Sequence, residues 1–514
     1  MAPPSTSSTL TSLINFLAQI ISRGNVSKAV AIYALCILYK YRNSVIGVRP
    51  RNDLPGPRGI PLLGNIYSVL TTPRNQILQR QVTSHEKFGK VYKFQVPGIG
   101  TIINISGPEQ VDHVLRINFW AYEKGPYLRE KLKPLVGQGI FGADGEHWRW
   151  QRKLAAHIFT AKAFREWTGN AFCNKGQLVI DYLSTMADSG QPVDLQEIYY
   201  KFTLDSFGEI AFGESFGCLD KPGDEVPFAL AFDRLNHNLS ERFLSPVWRI
   251  RNWYEGKVDT MEEDTRIVEE FCYGVIRRRK ELGTKNHKDL MQLFMDTTDD
   301  NGETLDDEKL KDTLMNFIIA GRDTTAQALS WMFYLMHRQD ADPAVVKRLQ
   351  EETDRVLQGG LPTYDTVKQM KYTEACFHET LRLYPSVAKN IKVCVQDDVL
   401  PGGFKVYKDE KIGWSSWAMG RDENIWGADA KKFNPDRWLT GEKPSSSKFV
   451  SFHLGPRTCL GQQFATIEAI TLTAMLLQKF TFELVTPDSE PAYLPSLTLP
   501  MANGLPVRVK HRVL

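Results

Sequence analysis

The stretch Phe452-His453-Leu454-Gly455-Pro456-Arg457-Thr458-Cys459-Leu460-Gly461 sets one cysteine between two glycines, with an arginine two residues before it. A thiolate that serves as a metal ligand needs a turn that exposes sulfur and aims backbone N–H groups at it. Gly455 and Gly461 offer the backbone freedom for such a turn. Donors at the sulfur hold its negative charge and set the potential of a bound iron. Arg457 offers a fixed cation for a carboxylate on the bound group. Cys459 is thus the candidate metal ligand.

Upstream, residues 305–338 read as one helix of about 34 residues, roughly 50 Å long at 1.5 Å per residue. Its middle reads Ala320-Gly321-Arg322-Asp323-Thr324-Thr325. Paired threonines and a glycine are poor choices for a helix centre. Threonine can bond back to the i−4 carbonyl and open the ladder. An opening beside small Ala320 and Gly321 leaves room for a flat ring and a small ligand. Asp323 beside Thr324 offers an acid and an alcohol for relaying protons to bound oxygen.

Two further stretches carry charge into apolar surroundings. Glu379-Thr380-Leu381-Arg382 puts an acid and a base three apart on one helix face, inside an apolar run. A buried arginine needs full pairing. Phe433-Asn434-Pro435-Asp436-Arg437-Trp438 offers a second arginine, Arg437. Trp148 and Arg152 are four apart and share a helix face.

Composition limits the alternatives. The chain has 514 residues, 42% hydrophobic and 24% charged, which is ordinary globular usage and enough for a large core. Net charge is +3, so no nucleic-acid partner is implied. Seven cysteines are scattered without Cys-x-x-Cys or zinc spacing, which favours a reducing compartment over a disulfide framework.

The N-terminus has two apolar runs, residues 10–21 and 29–39, followed by Lys40, Arg42, Arg49, Arg51 and Arg58. Neither run alone reaches the roughly 20 residues of a clean span. Residues 1–48 read as a membrane anchor, spanning or lying in the interface, with the basic residues on the cytoplasmic side. Residues 49–65 contain Leu54-Pro55-Gly56-Pro57-Arg58-Gly59-Ile60-Pro61, a stiff, bent connector that excludes helix. Residues 66–514 read as one mostly helical domain. Short strands are expected near 91–96, 100–106, 389–395 and 481–485, and Asp342-Pro343 is expected to open a helix that Gly359-Gly360 closes.

Taken in order, the connector, Trp148-x-x-x-Arg152, Asp323-Thr324, Glu379-x-x-Arg382, Arg437 and the Cys459 loop resemble the cytochrome P450 family across residues 50–510. The resemblance implies a mainly α fold with small β-sheets, a single haem domain behind an N-terminal anchor. It implies haem b with Cys459 as axial thiolate. Arg457, Trp148, Arg152, Lys389, Phe452, Gly455 and Gly461 would surround the haem. Thr324 and Asp323 would be catalytic, and Glu379, Arg382 and Arg437 a structural triad. Electrons would come from NADPH through a separate reductase, with O2 and a small hydrophobic substrate as reactants. The body would face the cytosol on the endoplasmic reticulum membrane. His453, Lys389 and Gly420 depart from common family choices.

Residues 125–141, 228–248 and 455–465 resemble the fungal and plant branch that hydroxylates alkanes and fatty acids at or near the methyl end. That likeness implies a long apolar channel, with Phe119, Trp120, Phe243, Phe317, Ala320, Val387 and Leu499 as pocket residues. A secondary-metabolite or xenobiotic hydroxylase on the same scaffold, or a haem-thiolate isomerase or peroxygenase, is the alternative.

Overall fold

The computed structural model describes residues 25–157, 159–244, 248–282, 289–298, 304–494 and 496–513. Helices dominate, and the ten strands found among these residues form three small sheets. β1 (Val91–Val96) and β2 (Gly100–Ile105) form a hairpin, and β3 is Tyr122–Glu123. β4 is Val193–Asp194 and β5 is Asn390–Cys394. A hairpin follows from β6 (Asp398–Leu400) and β7 (Phe404–Val406), then β8 (Lys411–Trp414). β9 (Phe480–Leu484) and β10 (Pro506–His511) lie near the C-terminus. The largest sheet runs β1-β2-β8-β5-β3, antiparallel except for β2 against β8. The strands expected from alternation at 91–96, 100–106, 389–395 and 481–485 all form, each within a residue or so of its expected ends.

One rod crosses the helical body. It consists of Asp307–Ile318, a π-turn at Ile319–Asp323 and Thr324–His337. Asp306 caps its start by accepting from the Lys309 N–H. From 312 to 336 every side chain is buried except Ala320 and Thr324, which are half-buried. A helix buried all round belongs at the centre of a core, and this one has helices on all sides. The local opening expected at Ala320–Thr325 is the π-turn. Thr324 Oγ1 donates to the Ala320 carbonyl at 2.7 Å, which withdraws that acceptor from the regular ladder. Gly321 is required by crowding, since a Cβ there would lie 2.4 Å from the Phe207 ring.

Asp342 caps the helix Pro343–Leu357 through the Ala344 N–H, as its Asp-Pro start predicts. Its left-handed C-terminal residue is Gln358, one position before the expected Gly359.

At the N-terminus the expected spanning anchor is not supported. The run 29–39 lies in a helix, Asn25–Lys40, of 16 residues. Among the described residues no helix is long and apolar enough to cross a membrane, and the run 10–21 lies outside them. The connector 49–65 is fastened along β1. Lys93 N–H donates to the Pro55 carbonyl at 2.9 Å, the Asn65 N–H to the Gln95 carbonyl at 2.7 Å, and the Gln95 N–H to Asn65 Oδ1 at 2.9 Å. Arg51 is fully buried, paired with Glu410 and Asp53 and donating to the Lys405 carbonyl.

Candidate active site

The Cys459 loop is closed by its own backbone. Cys459 N–H donates to the Phe452 carbonyl at 2.8 Å and Thr458 N–H to Gly455 at 3.0 Å. Gly455 has φ +67°, and a Cβ there would meet the Leu115 carbonyl oxygen at 2.1 Å, so only glycine fits. Gly461 differs from the expectation of special backbone freedom: its φ is −84°, open to any residue. Its contribution is its N–H, which bonds the Cys459 sulfur. Burial pushes the Cys459 thiol pKa up; the Gly461 N–H and the nearby Arg152 guanidinium pull it down.

Cys459 retains accessible surface although protein encloses it on almost every side. Its exposure therefore faces an interior cleft. Ala320 and Thr324, one turn apart on the rod, keep the other accessible patch in the deep interior. Both patches border the segment 381–389: Ser451 Oγ donates to the Leu381 carbonyl, and Ser386 Oγ to the Thr324 carbonyl, each at 2.7 Å. The Cys459 loop and the π-turn are thus two walls of one cleft.

A cluster of cations meets at one edge of the cleft. Arg457 donates to Asp144 and the Ala143 carbonyl, both at 2.8 Å, with its guanidinium carbon 4.4 Å from the Trp148 ring centre. Arg152 donates to the Thr458 carbonyl at 2.6 Å. Fully buried Lys392 donates to the Tyr122 carbonyl and lies 4.5 Å over the Phe119 ring. Lys124 and His453 complete the group. Burial, reinforced by the neighbouring cations, lowers each pKa: Lys124 to about 8, His453 to about 3, Lys392 well below its usual range. Arg457 is pushed down to about 10 by burial. Asp144 is the acid bonded within this group. Arg457 Nε and His453 Nε2 are buried without a hydrogen-bond partner among the described residues. Buried cations that repel one another and leave donors unspent are matched by a ligand bearing carboxylates. Haem, with iron for a thiolate and two propionates for such a cluster, fits this donor set.

The sequence placed Lys389 in this group. The structure sets it apart: Lys389 lies just before β5, outside the strand that carries Lys392, and none of the cluster's cations acts on it. Lys392, Lys124, His453 and Asp144 escaped the sequence reading. They come from four separate segments, and no local spacing unites them.

Asp323 and Thr324 are adjacent but face different ways. Thr324 faces the cleft. Asp323 accepts from Arg322 at 2.8 Å and from Asn236 Nδ2 at 3.0 Å. Arg322 in turn is paired with Asp233 at 2.6 Å. These groups border a polar cavity of about 230 Å³ lined by Gln196, Tyr200, His237, Gln327 and Thr498. Burial raises the Asp323 pKa to about 6 against the pull of Arg322. Glu468, missed in the sequence, is fully buried, accepts from Ser206 at 2.6 Å and is raised to about 8 by burial. It is held neutral at pH 7 behind the second threonine, Thr325.

Glu379 and Arg382 are completely buried and doubly bonded, at 2.8 Å each. Arg437 Nε donates to Glu379 at 3.0 Å, and so do the Trp438 indole at 2.9 Å and the Asn434 N–H at 2.8 Å. Arg382 also donates to the Ala430, Lys432 and Gly420 carbonyls. Gly420 has no room for a Cβ, which would meet the Arg382 carbonyl at 2.0 Å.

The expected pocket residues divide. Ala320 faces the cleft, and half-buried Val387 follows Ser386 at its border. Leu499 is buried, its backbone bonded to Gln327 and the Trp331 indole. Phe317 is buried with its ring 6.1 Å from Phe294. Phe119 packs on Trp148 beneath Lys392, at the cation cluster. Trp120 is 55% exposed with Arg149 over its ring, on the outer surface. Phe452 packs against His378 and Phe449. The Phe243 side chain lies outside the described residues.

A sequence model of the cytochrome P450 family matches residues 54–505. A cytochrome P450 monooxygenase, cyp1, of Mycosarcoma maydis is 39% identical over 93% of this chain and 78% of its own length. Cytochrome P450 86B1 of Arabidopsis thaliana is 35% identical over 79% of this chain and 76% of its own. Cytochrome P450 CYP94D109 of Paris polyphylla is 34% identical over 92% of this chain and 93% of its own.

Proposed function

Because the chain belongs to the cytochrome P450 family of haem-thiolate monooxygenases, we propose that it hydroxylates medium- or long-chain fatty acids or alkanes at or near the methyl end. The observation that carries this reading is an enclosed cleft between a thiolate loop and a small-residue helix face, in a chain whose distal segments resemble the lipid-hydroxylating branch. Haem, when bound, supplies oxygen activation at its iron. In this reading Cys459 would hold the iron, with the Gly461 N–H stabilising the thiolate. Arg457, Lys124 and Lys392 would hold the propionates. Asp323 takes protons from the polar cavity, and Thr324 presents its hydroxyl to the cleft. Electrons come from NADPH through a separate reductase. The body sits on the endoplasmic reticulum membrane facing the cytosol, with residues 1–48 in the interface. Exposed Val30, Ile32, Tyr33 and Tyr39 on the helix Asn25–Lys40 support that placement.

Titrating saturated acids from eight to eighteen carbons, read by the haem spin-state shift, tests the substrate class. Each buried methylene contributes about 0.8 kcal/mol, so affinity should rise about fourfold per carbon until the channel fills. A flat series with strong binding of a compact polycycle would overturn the lipid reading.

Thr324→Ala should leave haem content and substrate affinity intact but divert reducing equivalents to peroxide. Loss of one proton-transfer group typically costs 10²–10⁴-fold; with water standing in for the hydroxyl, product per NADPH should fall about tenfold or more. Unchanged coupling would remove Thr324 from the relay.

A further inference from the structure

Unlike Arg457, Arg152 and Lys392, Lys389 has no partner among the described residues. It keeps a large accessible surface although protein encloses it on every side, the combination that marks Cys459 as facing the interior. Among the described residues no hydrogen bond, ion pair or ring contact involves it, and burial lowers its pKa to about 8. Lys392, by contrast, is acted on by Arg457 and Lys124. Lys389, which lies just before β5, therefore stands beyond the field of the cation cluster. Its chain position fixes the region it serves. Ser386, three residues before it, is bonded to the Thr324 carbonyl at 2.7 Å, and three residues of extended chain span at most about 11 Å. Ala388, immediately before it, is buried and held by Ser415 and Trp417, so the side chain leaves a fixed backbone.

We propose that Lys389 is a specificity-determining residue of the substrate cleft, where its ammonium pairs with a carboxylate on the substrate rather than with the haem. An enclosed, unpaired ammonium is costly, and a ligand that brings an anion recovers that cost on binding. The inference rests on the monooxygenase reading of the cleft and deepens its substrate class: acids are preferred over alkanes, alcohols and esters of the same skeleton. An ammonium in the cleft disfavours cationic ligands by the same argument.

The test compares each acid with its methyl ester on two skeletons, a twelve-carbon chain and a fused-ring aromatic, by spin-state titration of the haem-loaded enzyme. Wild type should prefer the acid over the ester by about 10- to 100-fold, the range of a hydrogen bond to a charged group. Lys389→Met should abolish that preference while ester affinity and haem content stay unchanged. Lys389→Arg should retain it, and Lys389→Glu should favour the corresponding amine. The acid-to-ester ratio is read on whichever skeleton binds, so failure of the lipid reading shows separately, as the ring pair outbinding the chain pair. An acid preference that survives in Lys389→Met, or its absence in wild type, overturns the proposal. So does loss of haem from Lys389→Met, which would return the lysine to the propionates.

Discussion

Cys459→Ser is expected to abolish the strongly red-shifted Soret band of the ferrous carbon monoxide complex. That band requires a thiolate on the iron, and serine offers an oxygen in its place. The loop geometry makes the prediction specific. The Cys459 N–H is fixed to Phe452, the sulfur receives the Gly461 N–H, and its free surface faces the cleft. Cys173, Cys218, Cys272, Cys376 and Cys394 are buried elsewhere, and burial raises the pKa of each, which suits inert thiols. Because serine fits the same turn, the variant should fold. A retained band would mean that another cysteine ligates the iron and would undo the assignment of this loop.

Glu379→Ala should fail at folding rather than at chemistry. It strips Arg382 of its one carboxylate partner among the described residues, in a site with no exposure. Removing one member of a buried pair costs about 3–5 kcal/mol. Here Arg437 Nε, the Trp438 indole and the Asn434 N–H lose their acceptor as well, although Arg437 keeps Asp429. Against a typical stability of about 5–15 kcal/mol, little haem-loaded protein should survive expression. Glu379→Gln, which keeps the shape and one acceptor, should be less damaging. Thermal melting and haem content of the two variants decide the matter. A normal melting temperature for Glu379→Ala would show that the arginine finds other partners.

What the sequence disclosed was local. Glu379 and Arg382 sit one turn apart, and their apolar neighbours announce burial. The π-turn follows from a glycine and two threonines within one turn of a long apolar helix. Strand alternation located β1, β2, β5 and β9. Geometry assembled from distant segments was hidden. Lys124, Asp144, Lys392 and His453 span more than three hundred residues, and nothing in their local spacing draws them together. Trp438 lay next to Arg437 but gave no sign of its bond to Glu379. Lys389 and Lys392 show the limit most sharply: of two lysines three apart, one just before β5 and one within it, only the fold tells which joins Arg457. Asp323 and Thr324 read as one device, yet the π-turn aims them at different compartments.

The fastening of residues 49–65 has a mechanical consequence. With Arg51 locked to Glu410 and its carbonyl held by the Lys93 ammonium, the connector is a bracket and not a tether. A force or torque applied at the helix Asn25–Lys40 passes into β1 and the loop before β8 without slack. The orientation of the whole body relative to anything that helix grips is therefore set by a few buried charges, and cutting the bracket with Arg51→Ala would let it swivel while the cleft stays intact.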